Sequence, residues 1–125
     1  VTPTVLRLTF LRKHRPLLDS VRALETAFRT KAEQFKDVLI CGRTHMQDAV
    51  PLTLGQQMGA YANALADAAE NLEFASNKLC AVGLGASALG TGLNTHKDYR
   101  PLVTRYLAEA TGLPLRQARD YFQAT

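Results

Sequence analysis

Apolar residues recur along this chain at steps of three and four, in three stretches, and nowhere does a clear period of two emerge. The first stretch opens on Thr2-Pro3, an N-cap followed by a proline at the first helical position. Pro16 is expected to interrupt and kink this helix. Beyond it, Leu17, Val21, Leu24, Phe28, Ala32 and Phe35 keep one face apolar, and the helix is expected to end near Asp37.

The second stretch is the most regular. Leu54, Met58, Tyr61, Leu65, Ala68, Leu72, Ala75, Leu79 and Val82 alternate steps of four and three without a slip. A helix from Thr53, a plausible N-cap, to Val82 would run for roughly 43 Å at the usual rise per residue. A seven-residue repeat sustained that far implies packing along the whole length, as in a coiled coil or long bundle. Ala62, Ala64, Ala66 and Ala69 place small residues on the other faces, where further helices can approach closely. One chain of 125 residues has too few partners for such a rod, so self-association is expected. A lone antiparallel three-helix hairpin is the alternative. A third helix, Asp98 to Thr111, presents Leu102, Val103, Tyr106, Leu107 and Ala110 and is closed by Gly112 and Pro114. Leu115 to Thr125 is expected to begin a fourth. The fold class predicted is all-α, built of long antiparallel helices, with 1–125 a single segment and no internal domain boundary.

Composition narrows the function classes. With 46% apolar and 21% charged residues the chain is a core-forming, soluble type, and no apolar run is long enough to cross a membrane. A cytoplasmic chain without a membrane partner is expected. Cys41 and Cys80 lie in apolar contexts without C-x-x-C spacing, which favours buried, reduced thiols over a disulfide. The formal charge of +4 is concentrated in Arg12-Lys13-His14-Arg15. Such a run can touch phosphates, but no aromatic residues interleave with it and a solvated helix face explains it equally well; no nucleic-acid partner is expected. The histidines at 14, 45 and 96 lack metal-ligand spacing, and neither a metal nor a cofactor is expected.

The chemistry is expected in the two connections. The first, Gly42-Arg43-Thr44-His45-Met46-Gln47-Asp48-Ala49-Val50-Pro51, gathers a hydroxyl, an imidazole, an amide and opposite charges between two apolar helices. His45 is open to two readings, a functional imidazole or a histidine satisfied by hydrogen bonds near a helix start. The second connection, Val82 to Thr95, is rich in glycine but is no phosphate loop. A dinucleotide fingerprint would need a glycine at Ala88 and a preceding strand, and no Gly-Lys-Ser/Thr follows. Its small residues are expected to let backbones pass closely, with unusual dihedrals at Gly90 and Gly92. Thr91 and Asn94 offer hydrogen bonds to a ligand.

The run from Gly42 to Pro51, continued by Leu52-Thr53-Leu54-Gly55-Gln56, resembles the Thr-His segment of the fumarase/aspartase superfamily, and Gly90-Thr91-Gly92-Leu93-Asn94 follows at that family's spacing. The resemblance covers essentially the whole chain. Leu84-Gly85-Ala86-Ser87-Ala88, Gly112-Leu113-Pro114-Leu115 and Ala124-Thr125 look more like the aspartate ammonia-lyases than the fumarases of that superfamily.

What the resemblance implies is an anti elimination on a small dicarboxylate, L-aspartate to fumarate and ammonia, with water and malate as the fumarase alternative. A base removes a weakly acidic proton beside a carboxylate, and the doubly charged intermediate needs oriented hydrogen-bond donors. By the same resemblance, Thr44 binds a substrate carboxylate through its hydroxyl. His45 is the catalytic candidate, hydrogen-bonding the substrate or orienting the water, and Gln47 contacts substrate or supports the loop. Arg43 either attracts the dicarboxylate or forms a structural salt bridge. The family assembles each site from three subunits of a homotetramer. Its Ser-Ser/Thr-Asn segment precedes the equivalent of Val1, and the mobile loop with its serine base follows the equivalent of Thr125. The chain is therefore expected to be a central segment, truncated at both ends, and inactive alone. A catalytically silent helical association module is the competing reading.

Overall fold

The computed structural model describes residues 1–124. Three helices dominate: α1 (Thr2–Gln34), α2 (Leu54–Leu79) and α3 (Tyr99–Thr111). Between α1 and α2 stand two strands, β1 (Leu39–Thr44) and β2 (Gln47–Thr53), paired antiparallel. Two short strands, β3 (Ala81–Val82) and β4 (Arg116–Gln117), pair in parallel. The architecture is mainly helical but not all-α, which corrects the sequence expectation. The first connection hides its strands because both lie mostly exposed, so no buried alternation marks them. Among the described residues, no helix is long and apolar enough to cross a membrane.

The chain forms two compact units. One comprises residues 16–72 and the other residues 1–15 with 73–124.

In the first unit the end of α1 runs antiparallel to the start of α2. Phe28 meets Tyr61 edge to face at 5.6 Å between ring centroids, and Arg29 donates to the Asn63 side-chain oxygen at 3.3 Å. The helices close in at Gly55, where an added Cβ would lie 2.5 Å from the Ala32 carbonyl oxygen and 2.6 Å from Lys36 Cα. Only glycine admits that approach.

The inward face of each helix is only partly the one expected. In α1 Leu18 is 1% exposed, whereas Leu17 and Leu24 are about half exposed, at 52% and 49%. Val21, Phe28, Ala32 and Phe35 do turn inward. In α2 the inward row is Gly55, Met58, Ala62, Leu65, Ala69, Leu72, Ser76 and Leu79, small and large residues in alternation, while Ala68 and Ala75 are exposed and Tyr61, 46% exposed, lies at the edge of the row against Phe28. The seven-residue spacing holds for Met58, Leu65, Leu72 and Leu79, but the second row lies one residue on, at Ala62, Ala69 and Ser76 in place of Tyr61, Ala68 and Ala75, where small side chains allow close approach.

Pro16 does not interrupt α1, which is continuous through it. Pro16 and Arg12 are both exposed, so the missing backbone bond falls on the solvent face. Cys80 is buried as expected, but Cys41 is exposed because β1 lies on the exposed hairpin, and both thiols are free.

In the second unit, α3 starts after Asp98 and stops at Gly112, whose φ of 67° and N–H to the Ala108 carbonyl make a left-handed cap. No fourth helix follows among the described residues. Arg116 and Ala118 instead donate their amides to the carbonyls of Cys80 and Val82, and Asp120 accepts the amides of Phe122 and Gln123 in a turn. Thr125 lies outside the described residues. This terminal strap crosses the glycine-rich connection so closely that a Cβ at Gly90 would come within 2.9 Å of the Phe122 backbone.

Candidate active site

The residues expected to carry chemistry sit at the tip of the β1–β2 hairpin. The strand register pairs Thr44 with Gln47 and leaves His45 and Met46 as a two-residue turn. Both turn residues have positive φ, 50° at His45 and 64° at Met46, as a type I′ turn demands. Asparagine and glycine usually occupy such positions. For His and Met each left-handed residue costs on the order of 1–2 kcal/mol, a strain of the kind that concentrates at functional sites.

Two features hold the turn in place. Arg43 and Asp48 face each other across the strands, next to the Thr44–Gln47 pair, and Arg43 Nε donates to Asp48 Oδ1 at 3.0 Å. Both side chains are largely exposed, and such a pair contributes about 0–1 kcal/mol. Below it the register shifts between Cys41 and Arg43, with Ala49 and Val50 opposing Gly42. A Cβ at Gly42 would meet the Val50 oxygen at 2.7 Å, so the bulge requires glycine there.

Thr44, His45, Met46 and Gln47 are all exposed, Met46 to 99%. The hairpin thus brings a hydroxyl, an imidazole and a carboxamide together at one projecting tip, offering hydrogen-bond donors suited to a carboxylate. At its base, Thr53 and Gln56 cap α2 reciprocally, joining the hairpin to the helix without slack.

Asn94 belongs to the other compact unit. It is exposed with φ 63°, in the connection that also holds Gly90 at φ 110° and Gly92 at φ 72°. Arg100 fastens that connection, donating through Nε to the Gly85 carbonyl at 3.1 Å and through Nη2 to the Gly90 carbonyl at 2.7 Å. Its guanidinium also lies over the Tyr121 ring at 4.4 Å. Thr91 Oγ1 accepts the Leu93 amide and is engaged locally. An open cavity of about 290 Å³ in this unit is lined by Thr4, Gly85, Ser87, Thr95 and Tyr99 among others. The salt bridge is one of the two roles expected of Arg43, with Asp48 as its partner, whereas Arg100 carried no local signal.

Comparison with known proteins agrees with this architecture. A family model described as lyase matches residues 1–125. The chain is 43% identical over 123 residues to aspartate ammonia-lyase of Escherichia coli K12, covering 98% of this chain and 26% of that protein. It is also 43% identical over 116 residues to class II fumarate hydratase of Thermus aquaticus, covering 93% of this chain and 25% of that protein. Among solved structures, a fumarate lyase:delta crystallin from Brucella melitensis superposes with a TM-score of 0.89 at 33% identity, over 98% of this chain and 26% of its own. Class II fumarase from Schistosoma mansoni superposes with a TM-score of 0.88 at 28% identity, over 98% and 29%. The chain belongs to the lyase family that includes aspartate ammonia-lyases and class II fumarases. It spans about a quarter of the length of the curated relatives it matches.

Proposed function

We propose that the chain is the central segment of a carbon–nitrogen lyase that interconverts L-aspartate with fumarate and ammonia, and that the hairpin tip is its contribution to the active site. The strained turn carries this reading, because two non-glycine residues held at positive φ display Thr44 and His45 together. Thr44 binds a substrate carboxylate through its hydroxyl. His45 is the catalytic residue of this segment, donating a hydrogen bond as negative charge accumulates on the substrate during elimination. Gln47 supports the tip from across the strand pair, and Asn94 is a further substrate-binding candidate in the second unit. No cofactor takes part in this scheme.

The exposed Leu17 and Leu24 on α1 support association with further helices, and a homotetramer is the assembly we propose. A second reading, hydration of fumarate to malate, is favoured by the equal identity to a class II fumarase. A third, an association module without turnover, rests on the same exposed leucines.

The test is to supply the purified polypeptide that carries this chain with L-aspartate and, separately, L-malate while following fumarate absorbance. Fumarate and ammonia from aspartate are expected. Activity on malate alone would select the second reading, and silence on both would leave the third.

A further inference from the structure

We infer that Arg43 and Asp48 act as a positioning pair that sets the population of the His45–Met46 turn and thereby the rate of the reaction. The inference rests on the reading of the hairpin tip as the site of Thr44 and His45.

The turn is held in an unfavourable backbone conformation by two consecutive residues, neither of them glycine or asparagine. A two-residue hairpin of this kind exchanges readily with frayed forms unless its flanks close it. The closing pair is Thr44 with Gln47, and directly behind it stands the Arg43–Asp48 pair, the first cross-strand ionic contact below the tip. The next pairing back is displaced by the bulge at Gly42, so the ladder beneath gives the tip less regular support. A contact too weak to matter for global stability still shifts the population of a strained turn by about two- to fivefold. Placement of a reacting group within about an ångström is worth up to roughly 100-fold in rate. Neither charged side chain needs to touch substrate for this effect.

The experiment uses the full polypeptide carrying this chain and four variants: Arg43→Ala, Asp48→Ala, the reversal Arg43→Asp with Asp48→Arg, and Glu33→Ala as a control in a separate exposed ion pair with Lys36. Each single variant is expected to lower kcat about two- to fivefold, the range open to the loss of an exposed ion pair. The reversal should recover most of that loss, and the control should match wild type. Nuclear Overhauser contacts between Thr44 and Gln47, read in the same proteins without substrate, should weaken in the single variants and return in the reversal. Wild-type kcat and undiminished contacts in both single variants would overturn the inference, as would a reversal no better than either single variant. If His45→Ala keeps full activity, the functional reading fails instead, while the Overhauser contacts still decide whether the pair holds the turn.

Discussion

Thr53 and Gln56 each occupy the other's backbone amide: the Thr53 hydroxyl accepts from the Gln56 N–H at 3.1 Å, and the Gln56 side-chain oxygen accepts from the Thr53 N–H at 2.9 Å. This reciprocal cap starts α2 at the foot of the hairpin, so it fixes both a helix end and the base from which the tip projects. Thr53→Ala is expected to lower unfolding free energy by about 1 kcal/mol. Urea denaturation followed by circular dichroism measures it, and a double-mutant cycle with Gln56→Ala should show coupling between the two positions. Additive losses would mean that the two hydrogen bonds act independently.

Thr104 presents the opposite situation. It is 4% exposed on α3, and its hydroxyl has no hydrogen-bond partner. Thr104→Val keeps the shape and removes the unsatisfied oxygen, so a gain of about 1 kcal/mol is expected. Thr104→Ser removes the methyl group and keeps the burden, and should destabilise. Thermal unfolding of the two variants has to move in opposite directions for this account to stand.

Tyr121 links the second unit to alkaline pH. Burial raises its phenol above the ordinary value of 10.0, and the nearby Arg100 charge partly opposes the rise. The folded protein therefore holds this proton more tightly than the unfolded chain. The corresponding stability is fully present below about pH 10 and is lost as pH rises through the folded-state value. Tyr121→Phe should flatten that part of the alkaline decline. A stability–pH curve unchanged by the substitution would assign the decline to other groups.

His45→Asn, in the polypeptide carrying this chain, should reduce turnover roughly 10²- to 10⁴-fold. Asparagine tolerates positive φ, so the turn should survive the exchange. Circular dichroism and unfolding midpoint should match wild type. Undiminished turnover with L-aspartate would remove His45 from the mechanism.

The seven-residue period of α2 and the steps of three and four in α1 were legible because they recur over several turns, but the face was misjudged at Leu17 and Leu24. Large apolar side chains dominate a stripe read from sequence, whereas the packed seam of α2 is defined by Gly55, Ala62 and Ala69, which carry little hydrophobic weight. The hairpin was missed for a different reason. Its strands bury little, and His45-Met46 lacks the Asn-Gly chemistry that normally announces a two-residue turn. Thr44, His45 and Gln47 were legible as a motif, but their gathering on a strained tip was not, because it depends on pairing between Arg43 and Asp48 and on the Gly42 bulge. The strand at Arg116–Gln117 left no local trace at all, being defined by its partner Ala81–Val82.

A seam that repeats every seven residues carries an ambiguity of alignment: two such helices sliding past one another by a full heptad would again set apolar rows against apolar rows. Gly55 removes that freedom. The first turn of α2 abuts the Ala32 carbonyl and the Lys36 backbone, whereas at Gly59, one turn on, an added Cβ would lie 3.9 Å from Ala32 Cβ in ordinary contact, so the tight approach falls at Gly55. The contact therefore works as an end stop at the foot of the hairpin, from which its tip projects.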